Sequence, residues 1–490
     1  MKLVYSGAES VIVFEKEISN YYNLPFADMY NDLQSIAKET YSTDERIIIT
    51  AYGETEFGIW KHFFRIVEYL DIPTYFIHFF TNNSHTEELI NTYCKDIVNC
   101  TINDEKILKM QRNTRFDYPD TICITPFTNL EIKTNGDYRS CCETVGHYFY
   151  RDKSRMNILS DSVIDAWKSK DYESFREDFL SGKKSSYCDY CWKSENVGLP
   201  SKRTRDLKQP IAFTTDFFNV QNSPVTVDLK IGFSCNSKCR ICFYGRSSAW
   251  YKEDKKFGIQ RPELHEVDYT FKTTSEFWRD FGKDLQELKS IKLIGGEPML
   301  DTKHIALLKT LPKNISISYN TNGTIYNNEL VKELLQFQKV KLVFSIDNIN
   351  EKFNYERHGT VKWNIVEENI EKYNKCNFDL HLHCTVSIFN VLDLDDVAQF
   401  ALDNNLKISF NFLWHPEYFS VYNIKNTDYV VKKLKASKFE YVQNLANKFG
   451  DYIYHGLEKE LMTELDIIDA RRNENFKETY PEIAKIVTQF

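Results

Sequence analysis

From residue 225 onward the chain alternates short apolar runs with segments whose apolar residues recur every third or fourth position. Six runs stand out: Val225 to Phe233, Ser290 to Ile294, Asn314 to Tyr319, Val340 to Ile346, Asp379 to Val386 and Lys407 to Leu413. Between them, stripes such as Phe277, Phe281, Leu285 and Leu288, or Val397, Ala398, Ala401 and Leu402, put an apolar face on one side of a helix. Strand and helix in alternation is the pattern of parallel strands joined by crossovers. Six repeats predict an α/β fold, an open partial (β/α)6 barrel rather than the closed eightfold one. Later stripes, Val431, Leu434, Tyr441 and Leu445, then Leu457, Leu461, Leu465 and Ile468, predict a helical cap.

The first 115 residues follow another rhythm. Strand-like runs at Arg46 to Ala51 and Thr74 to Phe80 flank a helical stretch from Phe57 to Leu70, which predicts a small α/β unit of unassigned role. Gly53 and Gly58 near the first run are read as a plain turn. The expected division is therefore 1–115 for this unit, 116–205 for a cysteine-rich module, 206–425 for the barrel and 426–490 for the cap.

Composition narrows the class. Of 490 residues 42% are apolar and 27% charged, the balance of a globular protein. The net charge of −8 is spread along the chain, and no basic stripe exists to neutralise a nucleic-acid backbone, so nucleic acid is not an expected partner. The opening MKLVYSGAESVIVF lacks a signal-peptide layout, and no run of about 18 apolar residues could span a bilayer. A cytoplasmic location is expected, with no membrane partner. The 12 cysteines should then be thiols, and clustered thiols point to metal rather than disulfides. Eight fall between Cys123 and Cys242, while Cys94, Cys100, Cys376 and Cys384 stand apart and read as small buried apolar residues.

The first barrel run continues as KIGFSCNSKCRICFYG, setting Cys235, Cys239 and Cys242 in a CxxxCxxC on the loop that leaves the strand's C-terminal end. Active sites of βα folds are built there. Three thiolates suit three irons of a [4Fe–4S] cluster, leaving the fourth open to an outside ligand. A three-cysteine zinc site is the alternative. Further strand ends read Gly295-Gly296-Glu297-Pro298, Asn320-Thr321-Asn322-Gly323, Ser345-Ile346-Asp347 and Val386-Ser387-Ile388-Phe389-Asn390.

CxxxCxxC followed by GGEP resembles the radical S-adenosylmethionine (SAM) superfamily over residues 225 to about 420. The resemblance implies SAM bound at the open iron, a 5′-deoxyadenosyl radical made by reductive cleavage, and a flavodoxin- or ferredoxin-type electron donor. It also implies SAM contacts from Gly295, Gly296, Glu297, Pro298, Asn322, Ser345, Asp347 and Asn390. Ile241 departs from the aromatic residue common before the last cysteine.

Upstream, Cys123 and Cys141 flank Asn135-Gly136, a strong hairpin signal, and Cys188 with Cys191 forms a CxxC. Cysteine, spacer, glycine, four residues, cysteine resembles the auxiliary-cluster module of SPASM and twitch radical SAM enzymes, here preceding the barrel. That implies one auxiliary [4Fe–4S] cluster on Cys123, Cys141, Cys188 and Cys191, with Cys142 a spare buried thiol; a zinc ribbon is the alternative. The expected function is hydrogen abstraction from a peptide or protein, with the auxiliary cluster in electron transfer. Alternatives are a dehydrogenase or mutase acting on a sugar or other small metabolite, and a non-catalytic iron–sulfur or zinc scaffold. The chain ends Val487-Thr488-Gln489-Phe490, without the Gly-Gly expected of the molybdenum-cofactor precursor cyclase.

Overall fold

A computed structural model describes residues 119–196 (Val145 excepted), 201–207, 220–263, 268–449 and 454–487, together with four short strands within the first 81 residues. Two compact units emerge: Met1–Ile124 with Asp178–Lys184 and Gly198–Phe217, and Thr125–Glu177 with Ser185–Val197 and Phe218–Phe490. In the first, β1 (Lys2–Ser6) pairs antiparallel with β2 (Glu9–Val13), and β3 (Ile47–Ala51) pairs parallel with β4 (Ile77–Thr81). The helix expected over 57–70 lies outside the described residues, as do Cys94 and Cys100.

The second unit is built on one sheet. After β5 (Asn129–Ile132), β6 (Tyr138–Arg139) and the small hairpin β7 (Tyr150–Arg151) and β8 (Ser154–Arg155) come β9 (Thr226–Ile231), β10 (Ser290–Gly295), β11 (Ser316–Thr321), β12 (Lys339–Ser345), β13 (Asp379–Val386) and β14 (Lys407–Phe412). Strands β9 to β14 lie side by side in chain order, all parallel, with a crossover between each pair. These are the six predicted runs, each within two residues at either end. Helices used below are α1 (Lys170–Leu180), α2 (Ser248–Lys256), α3 (Asn350–Arg357) and α4 (Glu458–Arg472), the last forming part of the helical C-terminal region.

Burial alternates along these strands, which is unusual for a parallel sheet, whose strands commonly read as continuous apolar runs. Val227, Leu229, Ile231, Leu293, Ile317, Leu342, Phe344, Leu382 and Val386 are buried on one face. Asp228, Lys230, Ser318, Asn320, Lys341, Ser345, His381 and His383 are half-buried on the other. A face this polar stays wet because its hydrogen-bonding groups cost too much to desolvate unpaired.

The cysteine-rich segment joins the same sheet. Asn135-Gly136 does turn a hairpin: Gly136 adopts φ +86°, and β5 pairs antiparallel with β6. β5 then pairs parallel with β9, from Asn129 opposite Thr226 to Ile132 opposite Leu229, giving the sheet order β14-β13-β12-β11-β10-β9-β5-β6. Glu131 is the polar link. Burial would raise its carboxyl pKa, but Lys230 at 2.6 Å and Arg139 at 2.5 Å outweigh burial and keep it below the ordinary value. Among the described residues no helix is long and apolar enough to cross a membrane.

Candidate cluster and SAM site

β9 ends at Ile231, and the chain turns through Gly232 (φ +51°) into the loop that carries Cys235, Cys239 and Cys242. Two neighbours pin this loop. Backbone bonds run from Lys238 N to Arg357 O (3.0 Å) and from Arg240 N to Glu356 O (2.8 Å), tying it to the end of α3. From α2, the Trp250 indole donates to Cys239 O at 2.8 Å.

The end of β10 approaches from the side. Gly295 has φ +143°, a conformation that favours glycine, and Glu297 N donates to Ser234 O at 2.7 Å. Pro298, buried, opens a single 3₁₀ turn. The buried Glu297 carboxylate accepts from Asn322 N (2.6 Å), Thr321 Oγ1 (2.9 Å) and Met299 N (3.1 Å). Burial nonetheless pushes its pKa up to about 7. Asn322, fixed in this way, directs its amide to Asn236 Oδ1 (3.0 Å), with Cys235 Sγ 4.0 Å off.

The end of β12 meets the loop from the other side. Asp347 accepts from Thr385 N at 2.8 Å and pairs with the buried Arg357, whose Nη1 lies 3.4 Å from Cys239 Sγ. Ser345 is half-buried on the polar face, opposite His383 in the register. Asn390 is fully enclosed; its amide donates to Asp347 O and Thr385 O, both at 2.9 Å, and its oxygen accepts from Ser387 N. The strand ends thus form two hydrogen-bonded pairs, β10 with β11 and β12 with β13, that flank the cysteine loop as a collar.

The three thiols suit an iron–sulfur cluster. Burial first, and the neighbouring Cys239 thiol second, push Cys235 and Cys242 each up to about 12; cationic irons bound to the sulfurs would offset both by holding the thiolate form. Among the described residues no group of three Cys, His, Asp or Glu side chains gathers about one ion position. A cluster asks for something else, one thiolate per iron.

Of the upstream cysteines, Cys123 is buried in the first unit. In the second, Cys141 and Cys191 are buried and Cys188 is half-buried. Glu143 N donates to Cys141 Sγ at 3.4 Å, and Arg139 grips the loop through Cys142 O (2.9 Å) and Thr144 O (3.2 Å). Cys142 is exposed, not buried as expected, because its neighbour Cys141 takes the inward position. Cys384 is buried as expected, whereas Cys376, past the end of a helix, is half-buried with Tyr326 Oη 3.7 Å away.

Sequence reasoning missed four residues here: Arg357; Arg240, buried between Asp469 (2.5 Å) and Glu474 (2.7 Å) beneath the Tyr355 ring; and Glu253 with Arg472. Arg472 Nη2 lies 3.0 Å from Glu253, which also binds Lys238 of the cysteine loop, so α4 braces that loop through α2. Gly359 just past α3 marks the same close packing in the structure, where a Cβ would come 2.7 Å from Asn236 O.

Comparison with known proteins covers the same two segments of the chain. Residues 229–401 match the radical SAM superfamily, and residues 123–192 match an iron–sulfur cluster-binding domain of the SPASM type. The class of its parts follows: the chain carries a radical SAM domain with an iron–sulfur cluster-binding domain of the SPASM type ahead of it, and these domains imply SAM and [4Fe–4S] clusters as cofactors. Among curated proteins, the tungsten-containing aldehyde ferredoxin oxidoreductase cofactor-modifying protein of Pyrococcus furiosus is 24% identical over 186 residues, 36% of this chain and 47% of that one. The chain thus aligns with about half the length of this relative. Among solved structures, native anSMEcpe with bound AdoMet has a TM-score of 0.33 and 18% identity, covering 51% of this chain and 63% of the other. Streptococcus suis SuiB bound to precursor peptide SuiA has a TM-score of 0.30 and 13% identity, covering 64% of each chain.

Proposed function

We propose that this enzyme cleaves SAM reductively at Cys235, Cys239 and Cys242 and abstracts hydrogen from a peptide or protein substrate, an oxidoreductase-type reaction. When bound, the cluster and SAM together supply a 5′-deoxyadenosyl radical. The observation that carries the reading is the collar: Glu297 with Asn322 on one side of the cysteine loop, Asp347 with Arg357 on the other. Gly295, Gly296, Glu297, Pro298, Asn322, Ser345, Asp347 and Asn390 are the residues we assign to SAM, Asn390 also holding the Asp347 carbonyl. The half-buried polar face of β9 to β13 supports a substrate rich in hydrogen-bonding groups, as a peptide backbone is.

Cys123, Cys141, Cys188 and Cys191 are assigned to the auxiliary cluster, in electron transfer, with zinc the competing occupant. That assignment is supported by the 123–192 match, which begins at the first of these cysteines and takes in all four. A flavodoxin- or ferredoxin-type donor, a cytoplasmic location and the division at residues 115, 205 and 425 belong to the same proposal. A small metabolite as substrate is the second reading, favoured by the curated relative described as modifying a cofactor. Anaerobic reconstitution, dithionite reduction and a search for 5′-deoxyadenosine test the core of it. Release is expected; a non-catalytic scaffold would give none.

A further inference from the structure

We propose that Arg357 is a positioning residue that tunes the cluster: its guanidinium donates to the Cys239 thiolate and makes the cluster easier to reduce, while Asp347 moderates the charge the cluster feels. The inference rests on the reading that Cys235, Cys239 and Cys242 carry a cluster. Nη1 lies 3.4 Å from Cys239 Sγ, and Nη2 pairs with Asp347. One planar fork thereby spans a thiolate and a carboxylate at once, which a lysine ammonium cannot do with fixed geometry.

The contact is built in twice over. The backbone of Glu356 and Arg357 accepts from Arg240 N and Lys238 N, the residues on either side of Cys239, so the guanidinium and the thiol are set by the same two main-chain bonds. Arg357 is buried, and its Nε has no partner among the described residues. A cation placed there is poorly screened and acts strongly on a neighbouring charge.

Reduction adds one electron, supplied by the titrant, and neither forms nor breaks a bond. A 2+ core becomes 1+, so with three thiolates the total charge goes from −1 to −2. A fixed cation stabilises the more negative state further, and an N–H donor to sulfur acts in the same sense. Asp347 opposes it. The two substitutions should therefore move the potential in opposite directions, whereas a purely structural pair would give no such sign pattern.

The test is an EPR-monitored dithionite titration of the reconstituted full chain, as wild type, Arg357→Gln and Asp347→Asn, without SAM. The relevant signal is the one that changes when SAM is later added. In Arg357→Gln the reduced-to-oxidised ratio at the wild-type midpoint should fall roughly tenfold, about 59 mV for a one-electron couple. In Asp347→Asn it should rise. Midpoints that stay within about threefold of wild type, equivalent to roughly 30 mV, or that move the same way in both variants, overturn the proposal. Where Arg357→Gln holds no cluster, Asp347→Asn decides alone by the sign of its shift. Loss of the cluster in both makes the pair a structural staple and overturns the tuning role. A wild type with no SAM-responsive signal refutes instead the functional reading beneath it.

Discussion

Replacing Gly296 with alanine tests the tightest approach in the site. A Cβ there would lie 2.5 Å from the carbonyl oxygens of Phe233 and Ser234 and 2.6 Å from the Phe233 carbonyl carbon. All three are main-chain atoms of the segment leading into Cys235, so no rotamer change relieves the clash. Non-bonded contacts are optimal near about 3.5 Å, and the end of β10 must move off that segment by roughly 0.5–1 Å. The 2.7 Å bond from Glu297 N to Ser234 O spans the same gap and would be stretched. Overpacking costs about 1–3 kcal/mol and the weakened hydrogen bond about 1 kcal/mol more, so a loss of roughly 2–4 kcal/mol is expected. The assay pairs thermal unfolding of the reconstituted protein with its iron content and SAM affinity. Gly258→Ala is the control for adding a Cβ without a clash: a Cβ there meets nothing within 4 Å, and its positive φ (+74°), which Gly296 does not share, makes any loss in the control one of backbone strain alone. Gly296→Ala should melt several degrees below wild type and lose iron and SAM affinity, with Gly258→Ala losing only stability. A Gly296→Ala protein with wild-type melting and wild-type 5′-deoxyadenosine release would refute the close-approach argument.

Alanine at Cys235, Cys239 or Cys242 should abolish 5′-deoxyadenosine formation, and release retained in all three variants would remove this site from contention. The wild type should carry about eight irons and a variant lacking these three cysteines about four. Zinc in place of the second set, after reconstitution with excess iron, would favour a structural ribbon. Burial raises the Glu297 carboxyl from its ordinary 4.5 to about 7, against the hydrogen bonds from Asn322, Met299 and Thr321. Between those values the folded chain binds a proton that the unfolded chain has released, so the stability of the cofactor-free protein should fall as pH rises through this window. Glu297→Gln should flatten the decline in a urea-midpoint series, and an equally steep series would count against that burial.

The strands were legible because a short apolar-rich run is a local property of six to eight residues, whereas the alternation of buried and half-buried positions within it, as in DLHLHCTV of β13, emerged from the structure. The hairpin was legible for the same reason, since Asn-Gly answers to the backbone of one turn. What Gly296 does was only half legible. The sequence suggests a main chain that must come close to a ligand, whereas the structure adds that it must first come close to the cysteine segment itself. Arg357, Arg240 and Arg472 were invisible because their partners Cys239, Asp469 and Glu253 lie 118, 229 and 219 residues away. In α3, NEKFNYER reads as a solvated helix, and nothing local says that Glu356 and Arg357 face inward.

The register of the hairpin carries one more consequence. β5 runs parallel to β9 and β6 runs back against it, with Arg139 opposite Glu131 and Glu131 opposite Asp228. Cys141, two residues past Arg139, therefore leaves the sheet near the level of Thr226, where β9 begins, whereas Cys235 follows its far end at Ile231. Five residues of strand at about 3.3 Å each put roughly 17 Å between those levels before the loop to Cys235 is counted. Glu131, Asp228 and Lys230 of the polar face lie between them. On the proposed assignment, with Cys141 and Cys235 in different clusters, the two clusters share no ligand, and each should survive loss of the other. Replacing Cys188 and Cys191 with alanine should leave abortive SAM cleavage near wild type yet block turnover, if the auxiliary cluster takes up the substrate's electron. Because a thiolate site also staples its module, the variant must first be shown to bind SAM and to keep a compact hydrodynamic radius. A variant that passes both checks but no longer cleaves SAM would sink the claim that the sites are independent. One that still turns over its substrate would leave the auxiliary cluster without a role in electron transfer.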